Sequence, residues 1–274
     1  MPAIKLSTKS FEKPWGCTRL PALFPDPAGK RIGEIWFEGP DGQHLPLLVK
    51  YIFTSEKLSI QVHPDDKQAK ANGLPGGKSE CWYILDAEPG ATLGIGTTGT
   101  LSGEELRTAA LDGSIEGLVD WKPVQAGSFF YIPAGTVHAI GGGVTLVEVQ
   151  QNNDITYRLF DYGRPRELHL DDGVAASRAQ RYALPERIID PGEDVQLLDG
   201  SNAPFSLDMT SCKSGATISL PQGQSWFIPL SGSGVIDGQR WKYGECWLVR
   251  DEAQLHADAD CAFLIASSSP QLES

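Results

Sequence analysis

No stretch of the chain approaches the roughly 18 consecutive apolar residues that suggest a membrane span. The opening residues, Met1 to Lys13, hold no apolar segment of the kind that directs secretion. A cytoplasmic, membrane-independent protein is expected. Basic side chains are also scarce: 23 lysines and arginines against 35 aspartates and glutamates give a formal net charge of −12. That balance argues against broad binding to nucleic acid or anionic membranes, because both depend on clustered positive charge. Any anionic ligand must then be held by a local basic cluster. Cysteine is limited to five residues, Cys17, Cys81, Cys212, Cys246 and Cys261. None forms a C-x-x-C pair and the number is odd, which suits free thiols in a reducing compartment.

What the chain does have is turn chemistry. Thirty glycines and 19 prolines punctuate many short apolar runs, and 41% of the 274 residues are apolar. This favours a β-rich architecture over a helical bundle, with enough apolar material for one large domain or two smaller ones. The organising stretch is Gly127 to His138, G-S-F-F-Y-I-P-A-G-T-V-H. Phe129 to Ile132 reads as a buried strand, Pro133-Ala134-Gly135 stops it, and His138 begins the next strand. One imidazole is thereby aimed into a β-barrel. The spacing G-x5-P-x-G-x2-H resembles the second signature of the cupin jelly rolls.

Upstream, residues 13–36 carry Pro14, Pro21, Pro25 and Pro27 and read as irregular, leading to a strand around Ile32 to Phe37. Leu47 to Phe53 is a strand that contains Lys50, an ammonium that would be costly to bury without compensation. In Leu58 to His63, alternation puts Leu58, Ile60 and Val62 on one face and Ser59, Gln61 and His63 on the other. Asp65 to Asn72 reads as a short helix stopped by Gly73. The strand that follows places Lys78, Glu80 and Trp82 on a common face. Helical patterns over residues 100–113 and 114–120 look like an insertion packed outside the barrel. Val144 to Gln151 is a strand with Leu146, Glu148 and Gln150 on one face, and Asn152 to Arg166 is polar and rich in arginine, with Arg158, Arg164 and Arg166.

From about residue 175 a linker leads to a second β-rich region. Gln224 to Leu230 echoes Glu80 to Leu85, and Gly244 to Val249 echoes Gly127 to Ile132, yet His256 is the only histidine there. The expected architecture is mainly β: a cupin jelly-roll barrel over residues 1–174 with a short helical insertion near 100–120, then a degenerate jelly-roll-like sheet over 175–274 without metal ligands.

Taken together, His63, Glu80 and His138, with Gln61 beside them, make a two-histidine, one-carboxylate set plus an amide. Such a set suits zinc, with room for iron or manganese. L-S-I-Q-V-H-P-D-D, G-K-S-E-x-W-Y-I-L, F-F-Y-I-P-A-G-T-V-H-A-I and T-Y-R-L-F-D-Y-G-R-P-R-E-L-H, in that order, resemble the type I phosphomannose isomerases in their shorter bacterial form. The resemblance extends over nearly the whole chain. It implies one zinc ion per chain held by His63, Glu80 and His138, with Gln61 as a further ligand. It also implies an active-site arginine at Arg158, and Lys50, Ser59, Lys78 and Glu148 lining a sugar-phosphate pocket. The implied reaction is interconversion of mannose 6-phosphate and fructose 6-phosphate through a cis-enediol. Lys78 or Lys50 with Ser59 would anchor the phosphate, and either Glu148 or Lys78 would carry the proton; the residues alone leave that choice open. The alternatives are a non-catalytic sugar-binding or regulatory cupin, and an iron-dependent oxygenase on the same ligands. Oligomeric state is not readable from one sequence.

Overall fold

The computed structural model describes residues 3–220 and 222–269. Among them the strands form four antiparallel sheets of seven, five, six and four strands. Period-two alternation explains how they stack. Every residue of the strand Leu47–Phe53 is buried: Val49, Tyr51 and Phe53 join one apolar cluster, while Ile52 joins another on the opposite face. Glu80–Ala87 divides the same way, with Cys81 and Tyr83 on one side and Trp82 and Ile84 on the other. Both strands lie in the seven-stranded sheet, which is therefore covered on both faces.

One face meets the five-stranded sheet through Trp82, Ile84, Leu93, Ile95, Ile140 and Leu146, which closes the cupin barrel. The other meets the six-stranded sheet through Tyr51, Val149, Leu207, Trp226, Ile228 and Leu264. A further cluster of Phe227, Trp241, Trp247, Leu255 and Phe263 joins the six-stranded sheet to the four-stranded one. The helices Gly103–Asp112, Ile115–Leu118 and Leu170–Ala176 cover the outside of the five-stranded sheet, seating Leu106, Ala109, Ile115 and Ala176 on Ile60, Val62, Ala139 and Leu159. The first of these starts at a capping box between Ser102 and Glu105 and stops at Gly113, whose φ is +83°.

Three readings of the sequence are corrected here. Residues 13–17 are not irregular: Ser7–Cys17 is an edge strand of the seven-stranded sheet. Pro14 falls where its pairing breaks between Glu12 and Cys17, so the missing backbone donor breaks no ladder bond. Leu58 leaves the face of Ile60 and Val62 and packs inside the barrel, because the strand begins only at Ile60. The later β-rich region is two packed sheets, not one, and Ala3–Lys5 pairs with Trp247–Val249 within it. The internal echo extends to pairing: Glu80–Ala87 lies beside Ser128–Ile132, and Ser225–Pro229 lies beside Trp247–Val249.

Candidate metal centre and substrate pocket

Strand alternation and one tight turn bring the donors together. His63 follows the strand Ile60–Val62, Glu80 opens Glu80–Ala87, and His138 opens His138–Ile140. His138 and Gln61 are direct cross-strand partners. The Pro133-Ala134-Gly135 turn links the two histidines, since Gly135 N donates to the carbonyl of His63 at 2.8 Å. Gly135 has φ +87°, and a Cβ there would come within 2.7 Å of Arg178 Nε, so the turn requires glycine.

Each imidazole is oriented by a backbone carbonyl. Nδ1 of His63 lies 2.8 Å from Ile155 O and Nδ1 of His138 lies 2.8 Å from Thr136 O. Both Nε2 atoms then face Glu80, at 3.3 Å from Oε2 and 3.5 Å from Oε1 respectively. The three donor atoms lie within 4.8 Å of one another, and all three residues are buried. Burial, reinforced by the Lys78 ammonium, pushes the His63 pKa down to about 3; burial also lowers that of His138. Both rings are thus neutral at physiological pH, the state in which an imidazole can ligate a metal. Burial disfavours the charged form of Glu80, but the Lys78 ammonium beside it holds its pKa well below the usual carboxylate range.

The set fits a cation. Glu80 Oε1 is buried with no hydrogen-bond partner, and the positive charge already present, Lys78 Nζ, sits 2.6 Å from Glu80 Oε2 and 2.9 Å from His63 Nε2. The ammonium stands on two donor atoms that a divalent ion would take. Gln61 adds its amide 3.3 Å from His138 Nε2, and Ser59 Oγ donates to the Gln61 carbonyl at 3.2 Å. These side chains therefore supply neutral nitrogen, anionic oxygen and amide donors, the chemistry of a borderline-hard metal site.

Above the donors opens a cavity of about 280 Å³ whose wall includes Lys50, Ser59, Gln61, Lys78, Glu148 and Arg158. Lys50 is buried and its charge is compensated: its Nζ lies 3.1 Å from Glu148 Oε1 and 4.6 Å from the Trp36 ring centroid. Glu148 Oε2 accepts from Trp82 Nε1 at 3.0 Å. Burial, aided by the charge of Glu80 and opposed by Lys50, raises the pKa of Glu148. Arg158 lies opposite Gln61 in the register, donates through Nη1 to Glu167 O at 3.1 Å, and keeps a buried, unpartnered Nε. The structure thus brings all nine residues singled out in the sequence to one cavity and its floor.

Lys13, Trp15, Glu34, Asp154 and His169 also line the cavity and were missed. Glu34 accepts from Trp36 Nε1 at 2.6 Å and pairs with Lys13 Nζ at 3.1 Å. A signal existed, because Glu34 and Trp36 share one face of the strand Ile32–Glu38 and Trp36 is the cross-strand partner of Lys50. Residues 13–15 carry no such signal, because Pro14 hides the edge strand they lie in.

A jelly-roll barrel with two histidines and a carboxylate converging inside it defines a cupin with a metal-type donor set. No known family model matches the chain. The chain is 41% identical over 242 residues to "Probable mannose-6-phosphate isomerase GmuF" of Bacillus subtilis, an alignment covering 80% of this chain and 74% of that protein. The crystal structure of the mannose 6-phosphate isomerase from Bacillus subtilis superposes with a TM-score of 0.75 at 26% identity, covering 97% of this chain and all of that one. A zinc-bound holo mannose 6-phosphate isomerase shares the fold, with a TM-score of 0.73 at 14% identity over 98% of this chain and all of that one. The chain belongs to the type I mannose-6-phosphate isomerase family.

Proposed function

We propose that the protein is a zinc-dependent aldose–ketose isomerase that interconverts mannose 6-phosphate and fructose 6-phosphate by proton transfer through a cis-enediol. The observation that carries the proposal is the convergence of His63, Glu80 and His138 beneath a cavity lined by cations, in a protein that is otherwise strongly acidic. His63, Glu80, His138 and Gln61 would hold one zinc ion per chain. When bound, the metal supplies Lewis-acid polarisation of the sugar oxygens. The relatives named above support both the reaction and the metal.

The other steps fall to the chain's own side chains. Lys50 and Ser59 bind the phosphate, which explains why an ammonium is tolerated on an inner strand. Arg158 faces the negative charge that develops on the enediolate oxygens; one well-placed donor of this kind is worth about 3–4 kcal/mol. Glu148 carries the proton between C1 and C2. Its raised pKa brings a carboxylate nearer neutrality, and Trp82 fixes one of its oxygens. Lys78, engaged with His63 and Glu80, orients the donors and contacts the substrate. We assign catalysis to residues 1–174, including the helices near 100–120, and no ligand to residues 175–274. The working compartment is the cytoplasm; among the described residues no helix is long and apolar enough to cross a membrane.

The test is a coupled assay for fructose 6-phosphate formed from mannose 6-phosphate, before and after chelation and with zinc added back. Activity lost on chelation and restored by zinc is expected. A metal-loaded protein without turnover would overturn the isomerase reading in favour of a sugar-binding cupin.

A further inference from the structure

We propose that Cys212 and Cys261 are a modification site, joining as a reversible cross-strand disulfide when the protein meets hydrogen peroxide. The two residues are direct partners in the antiparallel pair Phe205–Cys212 and Cys261–Ser268, at the end of the ladder. Directly opposed Cα atoms in such a pair lie about 4.5–5.5 Å apart, inside the span a disulfide bridges without backbone movement. The sulfur atoms lie 2.8 Å apart, against about 2.05 Å in a formed bond.

The register is clamped just beyond the pair. Lys213 Nζ binds Asp260 Oδ2 at 2.8 Å, and Ser214 N donates to Asp260 Oδ1 at 2.9 Å. Both cysteines line a surface cavity of about 550 Å³ that a small oxidant can enter. Cys212 is half-buried while Cys261 is buried, and burial, with the hydrogen bond to Cys212, pushes the Cys261 thiol up to about 12. Cys212 is therefore the attacking group and Cys261 the resolving one.

The step balances. The Cys212 thiolate attacks one peroxide oxygen, the O–O bond breaks, and the departing hydroxide takes up the thiol proton as water, leaving Cys212 as a sulfenic acid. Cys261 sulfur then attacks the sulfenic sulfur, the S–O bond breaks, and a second water leaves with the Cys261 proton. Two thiols lose two electrons, and one peroxide is reduced to two waters. The bond closes a loop that contains all four strands of the outermost sheet, from Thr217–Leu220 to Ala253–Ala257, so it limits the freedom of the unfolded chain.

The experiment treats the full chain with hydrogen peroxide and combines thiol titration, peptide mapping and thermal melting. Expected are a fall from five free thiols to three and a mapped Cys212–Cys261 link. The melting temperature should rise by about 5–10 °C and return after dithiothreitol. Cys212→Ser and Cys261→Ala should each abolish the link and the rise. Peptide mapping of the unmutated protein decides the matter even if a variant folds poorly. Five thiols retained, a link involving Cys17, or Cys212 oxidised without joining Cys261 would each overturn the proposal.

Discussion

Lys50 and Glu148 face each other across neighbouring strands, Nζ 3.1 Å from Oε1, with both side chains no more than 5% exposed. Such a pair is needed less for net attraction than because either charge alone would be buried without compensation. Lys50→Met should therefore lower unfolding free energy by about 3–5 kcal/mol, measured by urea denaturation. The double variant Lys50→Met/Glu148→Gln should recover much of that loss. A fully additive double variant would show that the charges are not coupled.

Glu148 also gives the pH prediction. A base works when deprotonated, so activity falls as pH drops through its pKa. The pKa of Glu148 is raised above its ordinary 4.5, so the acid limb of kcat/KM should lie above that value. Glu148→Gln should lower kcat by about 10²–10⁴-fold while zinc content stays at that of the parent. If Lys78→Met has that effect and Glu148→Gln does not, the proton carrier is Lys78.

Removing a donor should separate metal from fold. His138→Ala deletes an imidazole whose neighbours Ala139 and Ile140 remain packed in apolar clusters, so circular dichroism should be nearly unchanged. Bound zinc and turnover should both disappear. Full zinc stoichiometry with normal turnover would remove His138 from the ligand set.

In the proposed mechanism Arg158 serves a different step. Arg158→Ala should retain zinc and lose about 10²–10³-fold in kcat, measured at saturating mannose 6-phosphate. A change confined to KM would place Arg158 in substrate binding that is equal in ground and transition states.

Gly135→Ala tests the turn behind the histidines. The added methyl meets Arg178 Nε at 2.7 Å and sits at φ +87°, while Gly135 N holds His63 O. Destabilisation of about 1–3 kcal/mol is expected, together with weaker zinc retention in a chelator competition. Loss of stability without a change in metal affinity would show that the turn positions neither ring.

Much of the site is written locally. Gln61-Val62-His63, Glu80 and Pro133 to His138 stand out as candidate inward donors by alternation and by a turn that needs glycine, and the order of the motifs, through the family resemblance, groups them into one set. The buried role of Lys50 was not, because it depends on Glu148 lying opposite, nearly a hundred residues away in the chain. The same holds for Lys13 and Glu34, which meet the cavity only after a proline-broken edge strand folds onto the sheet.

By itself, then, the sequence determined the β class, the donor set and the acidic background against which a few cations matter. Tertiary structure alone decided the rest: the two further sheets stacked on the barrel, Lys78 seated on the donors, and Cys212 opposite Cys261. The physical reason is register. Alternation states which side chains share a face, but which strand lies opposite, and at which residue, is set by long-range packing of whole sheets.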